Sequence, residues 1–94
     1  MSPNETPVIR PRRQVVYREL AEGGVLLHLE SGAYHSVNRV GWLVWTLLED
    51  GKSLPDLLAA LRERLGEAPP ELEGEVTGFL ESLWARDLLV TGGP

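Results

Sequence analysis

The hydrophobic period of this chain changes at Asn38. Before that residue, apolar side chains alternate with polar ones in short runs divided by glycines. After it they recur every three or four positions. Alternation belongs to half-buried strands, and the longer period to helices with one apolar face. With 94 residues there is room for a single modest core, so strands and helices must share it. The reading is an α+β fold with three antiparallel strands followed by three helices.

The first strand is "QVVYREL", Gln14 to Leu20, rich in β-branched and aromatic residues. "AEGG" turns the chain into "VLLHLE", where Val25, Leu27 and Leu29 share one face and Leu26, His28 and Glu30 the other. "SG" then leads into a third strand, "AYHSV". Asn38 is a good N-cap for a helix whose stripe is Val40, Leu43, Val44, Leu47 and Leu48. Ser53 caps a second helix that carries Pro55 in its first turn and ends at Gly66. A third runs from Glu71 to Arg86, and "DLLVTGG" makes a short strand or an extended tail. Residues 1–13, with prolines at 3, 7 and 11, read as a flexible N-terminal tail. The domain is placed at 14–90 and a C-terminal tail at 91–94.

Charge narrows the function. The tail carries Arg10, Arg12 and Arg13 against Glu5, whereas the rest of the chain is acidic. A DNA-binding winged helix presents cations on its last helix; here Glu71, Glu73, Glu75, Glu81 and Asp87 face Arg86 alone. Phosphates would meet repulsion there, so nucleic acid is not an expected partner. There is no cysteine, no apolar run long enough for a membrane span and no signal-peptide core near the start. The default localisation is therefore cytoplasmic.

Catalytic chemistry is equally poorly supplied. No phosphate loop, dinucleotide fingerprint or His-Glu-x-x-His occurs. His28 and His35 sit on adjacent strands, but two imidazoles without a third ligand make a poor zinc site, and both read as solvent-facing or groove-edge residues. His35 and Ser36 are neighbours on a strand and point to opposite faces. No cofactor, metal or enzymatic activity is expected. Two glycines inside the third helix, Gly74 and Gly78, cost about 1 kcal/mol each relative to alanine, which implies a packing reason for them.

Taken together, the glycine turn, the strand ending in "SVN", the "GWLVWTLL" helix, the "GKSLPDLLAAL" helix and the closing "VTGFLESLWARDLL" resemble the PqqD-like family. These proteins are recognition elements for ribosomally made, modified peptides. The resemblance spans residues 14–90, and the acidic stand-alone form is most similar to the discrete recognition protein of lasso-peptide pathways. It implies a winged-helix-like fold that binds a precursor's leader peptide as an added strand beside the third strand, under the third helix. The implied partners are that leader, a separate cysteine protease that removes it, and a cyclase. A pyrroloquinoline-quinone-type peptide chaperone serving a radical enzyme is the alternative. A homodimer paired through the free edge is a further one. Relatives often have glycine after the last helix where this chain has Asp87.

On that footing the peptide-binding residues would be Gly32, Ala33, Tyr34, His35, Ser36 and Val37 along the strand. Val76, Leu80, Leu83 and Trp84 would form an apolar wall opposite, with Glu73 and Glu75 available to basic leader residues. Ala33, His35 and Val37 should face the helices, and Tyr34 and Ser36 the outside. Ala33 and His35 are expected to supply donors to the hydrogen-bonding ladder, so that proline at either should abolish binding. The pattern leaves open which flank of the third helix faces the groove.

Overall fold

The computed structural model describes residues 7–67 and 69–91. A three-stranded antiparallel sheet has the order β2 (Val15–Leu20), β3 (Gly23–His28) and β4 (Tyr34–Asn38). Three helices follow, α1 (Arg39–Leu47), α2 (Leu54–Leu65) and α3 (Leu72–Ala85). The expected α+β arrangement is the one found. Asn38 caps α1 by accepting the Gly41 N–H at 2.8 Å, and Ser53 caps α2 through the Asp56 N–H at 3.4 Å.

A second, two-stranded sheet was not anticipated. Ile9–Pro11 (β1) pairs antiparallel with Leu89–Thr91 (β5), and Ile9 also exchanges backbone bonds with Lys52 at 2.8 and 3.1 Å. Ile9 is buried and joins the core. The tail assigned to residues 1–13 therefore loses at least residues 9–11 to the folded unit. Three-residue strands show no period, and proline is acceptable at a strand end where no ladder donor is required. The calls on residues 1–6 and 92–94 lie outside the described residues.

The helices cover one face of the larger sheet. Cross-strand partners point the same way, and the register sets Tyr17, Leu26 and His35 in one row on the inner face. Leu26 is fully buried beneath Trp45, Leu48, Leu57 and Leu61 of the same core. The edges of the Trp42 and Trp45 rings meet Tyr17, with centroids 5.8 and 5.5 Å apart. Gly24 is required here, because a Cβ at that position would overlap the Trp42 ring.

His28 departs from expectation. It is 4% exposed, facing the core side of β3 rather than solvent. Both ring nitrogens have partners: Nδ1 accepts the Ser31 N–H, and Nε2 lies 3.3 Å from Asp87 Oδ2. Nδ1 as acceptor assigns the proton to Nε2, which donates to the carboxylate. Asp87 itself ends α3. Its φ is +61°, its N–H reaches Trp84 O at 2.9 Å, and Leu88 N–H reaches Leu83 O at 2.9 Å. That is a Schellman ending with aspartate in the place glycine usually takes. The left-handed conformation costs roughly 1 kcal/mol in a non-glycine residue. In exchange the side chain ties the helix end to Arg12 at 2.9 Å and to His28.

The consequence is measurable by thermal or denaturant unfolding. Asp87→Ala keeps the strain and loses both ties, and should destabilise by about 1–2 kcal/mol. Asp87→Gly loses the same ties but relieves the strain, so it should cost about 1 kcal/mol less. Equal costs would mean that the backbone at residue 87 carries no strain.

Candidate functional site

β4 lies at the edge of its sheet, and no strand pairs with its outer side among the described residues. The hairpin bond from His28 N–H to Ala33 O, at 3.0 Å, fixes the parity of the ladder. In an antiparallel pair, hydrogen-bonded and non-bonded positions alternate. The residues opposite Leu26 and Gly24, His35 and Val37, therefore turn their backbone groups toward β3. Tyr34 and Ser36 turn theirs outward, to the free edge. The ladder choice of Ala33 and His35 is corrected by this register. Ala33 is spent within the hairpin, its N–H donating to Ser31 Oγ at 3.2 Å.

Side chains follow the opposite parity. Ala33, His35 and Val37 are half-buried on the helix side, while Tyr34, at 70%, and Ser36 are exposed. This part of the reading agrees with the structure. Gly32 sits in the exposed hairpin turn at φ +76°.

α3 supplies the facing wall, through a different flank from the one named by sequence. A Cβ built on Gly41 would lie 3.1 Å from Phe79 Cζ and 3.2 Å from Val37 Cβ, so Phe79 stands beside the end of β4. Arg86 lies close enough to His35 to act on its ionisation. Glu75, Phe79, Ser82 and Arg86 form one stripe of about 60° along the helix. Trp84 lies about 140° round from Phe79, and Glu73 about 120°. Both are exposed on the flank away from β4. Val76, Leu80 and Leu83 are each 2% exposed and belong to the core. Of these only Val76 reaches the site, lining a cavity of about 150 Å³ between α1 and α3 with Asn38, Val40, Gly41, Val44, Glu75 and Phe79.

Phe79, Ser82 and Arg86 were missed as site residues, although their spacing of three and four was visible. Gly78 adjoins the same stripe. A Cβ there would meet nothing within 4 Å, so no helix among the described residues explains the glycine. The groove is thus open beside Gly78, narrow and apolar at the Phe79 end, and cationic at Arg86.

Partial burial, then the Arg86 charge, then His28 hold the His35 imidazole below its usual value of 6.5. His28, Glu30 and Asp87 have ligand atoms within 4.8 Å of one another. Arg12 already sits on Asp87 at 2.9 Å and Arg86 lines the same hollow, a setting suited to an ion pair more than a bound cation. An NMR titration should find the His35 midpoint below 6.5, and Arg86→Gln should raise it by removing a repelling charge. An unmoved midpoint would separate Arg86 from this end of the groove.

Comparison with known proteins identifies the family. The family model described as coenzyme PQQ synthesis protein D (PqqD) matches residues 23–89. No curated protein sequence matches. Among solved structures, TbiB1 in complex with the TbiA(beta) leader peptide is 31% identical with a TM-score of 0.74, covering 85% of this chain and 93% of that one. Lasso peptide synthetase B1 complexed with the leader peptide is 25% identical with a TM-score of 0.71, covering 87% and 96%. A free β4 edge beside an open α3 wall, on a match that spans most of the chain, places this protein in the PqqD family.

Proposed function

We propose that this protein binds the leader segment of a ribosomally made precursor peptide as a fourth strand on β4, with no catalytic step of its own. The observation that carries the reading is the outward row of backbone donors and acceptors at Tyr34 and Ser36, set beside the α3 groove. An added strand satisfies those groups, while pockets along the groove select alternate side chains. The peptide side chains that point inward would meet Ala33, His35 and Val37 on one side and Glu75, Phe79 and Arg86 on the other. Gly78 leaves room for the peptide backbone. Both solved relatives are described with a leader peptide, and both descriptions carry B1 names, one of them a lasso peptide synthetase. That favours a lasso-type precursor over a quinone-cofactor precursor. The bound leader would then be presented to a leader peptidase of the cysteine-protease type and to a cyclase.

Calorimetric titration with the leader of the precursor encoded beside this gene tests the reading. Ser36→Pro removes an outward donor at an edge position that tolerates proline, so it should stay folded and bind at least about tenfold more weakly. Undiminished binding by the folded variant would sink the added-strand reading. Gly78→Ala should stabilise the free protein by about 1 kcal/mol, since the new methyl meets open space. The same variant should weaken leader binding. Stabilisation with unchanged affinity would place the peptide elsewhere along α3.

A further inference from the structure

A cavity larger than the one beside Phe79 stands apart from the α3 groove. It lies at the other side of α1, between the β2–β3 turn and the end of α2, and holds about 480 Å³. That is within the range of roughly 300–1,000 Å³ usual for binding clefts. Its apolar lining includes Leu20, Val40, Trp42 and Leu65, and its rim carries Arg39 and Arg64. Leu20 is 51% exposed and Val40 41%, so two aliphatic side chains stand uncovered there. Neither arginine forms an ion pair among the described residues, in a chain whose net charge is −5. One carboxylate, Glu19, lies on the hairpin side.

This hollow meets the small cavity beside Phe79 at one residue. Val40, in the first turn of α1, lines both it and the small cavity beside Phe79. Asn38, the last residue of β4, lines that small cavity too. A peptide leaving the β4 edge at Asn38 and crossing Val40 would enter the larger hollow. A helix is about 10 Å across with its side chains, a distance that three extended residues span at about 3.3 Å each.

We infer that the leader is held at two places, and that the hollow takes a flanking segment of the same peptide, an apolar side chain accompanied by a carboxylate. The inference rests on the added-strand reading of β4. The apolar side chain covers Leu20, Val40 and Trp42, and the carboxylate meets Arg64 or Arg39. A leader trimmed to its strand-forming residues loses this second hold.

Fluorescence anisotropy with nested truncations of the precursor leader tests the inference. The shortest peptide whose binding Ser36→Pro still weakens defines the strand segment. Leu20→Ser, and separately Arg64→Glu, alter exposed positions outside the β4 groove and should leave the fold intact. Each should weaken the full leader by about tenfold and leave the shortest peptide unaffected. A lysine substituted for the leader's flanking carboxylate should restore binding to Arg64→Glu. Equal affinity of the full and shortest peptides for the unaltered protein would overturn the inference. So would hollow variants that weaken both peptides alike, or neither, the last result leaving the hollow to a different protein. If Ser36→Pro weakens no peptide, the strand reading itself fails, whatever the hollow variants do; if it weakens the shortest peptide and the hollow variants do not distinguish the two peptides, only the second hold fails.

Discussion

The structure depends on keeping β4 unpaired while a helix stands next to it. An open strand edge is a hazard, because any extended chain can complete its ladder. Here α3 stays at a distance that leaves a groove rather than closing on the strand. Its anchor is on the other side, where Leu72, Val76, Leu80 and Leu83 are buried in the core. Asp87 fixes the far end, through Arg12 of the N-terminal segment and His28 of β3. The two-stranded β1–β5 sheet holds the chain immediately beyond that point. Each of these restraints acts on α3 from outside the groove, which is why the groove itself can remain unfilled.

Strand parity then divides the labour along β4. Odd-numbered residues give their backbone to β3 and their side chains to the groove. Even-numbered residues give their backbone to the free edge and their side chains to the outer face. In the added-strand reading, a docking peptide would be bound by Tyr34 and Ser36 through main-chain groups that any sequence shares, and discriminated by Ala33, His35 and Val37 through side chains. Affinity and specificity would then come from different residues, so a substitution would change one with little effect on the other. His35 joins the two roles loosely, since its neutral imidazole sits between a partly buried face and the Arg86 cation.

Much of this was legible in the sequence because it is written locally. The change of period at Asn38, the caps at Asn38 and Ser53, and the inward side chains of β4 each depend on residues a few positions apart. The errors fall where the deciding partner is remote. His28 reads as a surface residue until Asp87, far away in the chain, supplies an acceptor. Ile9 reads as tail because its partners, Lys52 and Thr91, are equally remote. On α3 the apolar arc was wide enough for either margin to face β4, and the larger aromatic, Trp84, drew attention to the wrong one. Phe79 faces β4 because Leu80 and Leu83 point to the core, a choice made by packing and not by any property of residues 71–87 alone.

Magnitudes bear on whether the β4 groove is enough by itself. Micromolar capture of a disordered leader, about −8 kcal/mol, must also offset an ordering cost of about 2–5 kcal/mol. The gross interaction needed is therefore about 10–13 kcal/mol. Tyr34 and Ser36 each turn one N–H and one C=O outward, and at about 1 kcal/mol per bond the ladder contributes about 4. The small cavity beside Phe79, about 150 Å³, takes one large apolar side chain worth about 1.5–3 kcal/mol. The sum stops near 5.5–7 kcal/mol. One further apolar side chain and one bond to a charged group, at about 1.5–3 kcal/mol each, bring it to about 8.5–13. The hollow lined by Leu20, Val40 and Trp42, with Arg39 and Arg64 on its rim, has room and charge for that pair. A five-residue edge strand is short for the task, and in the two-site reading the hollow that shares Val40 with the small cavity would make up the difference.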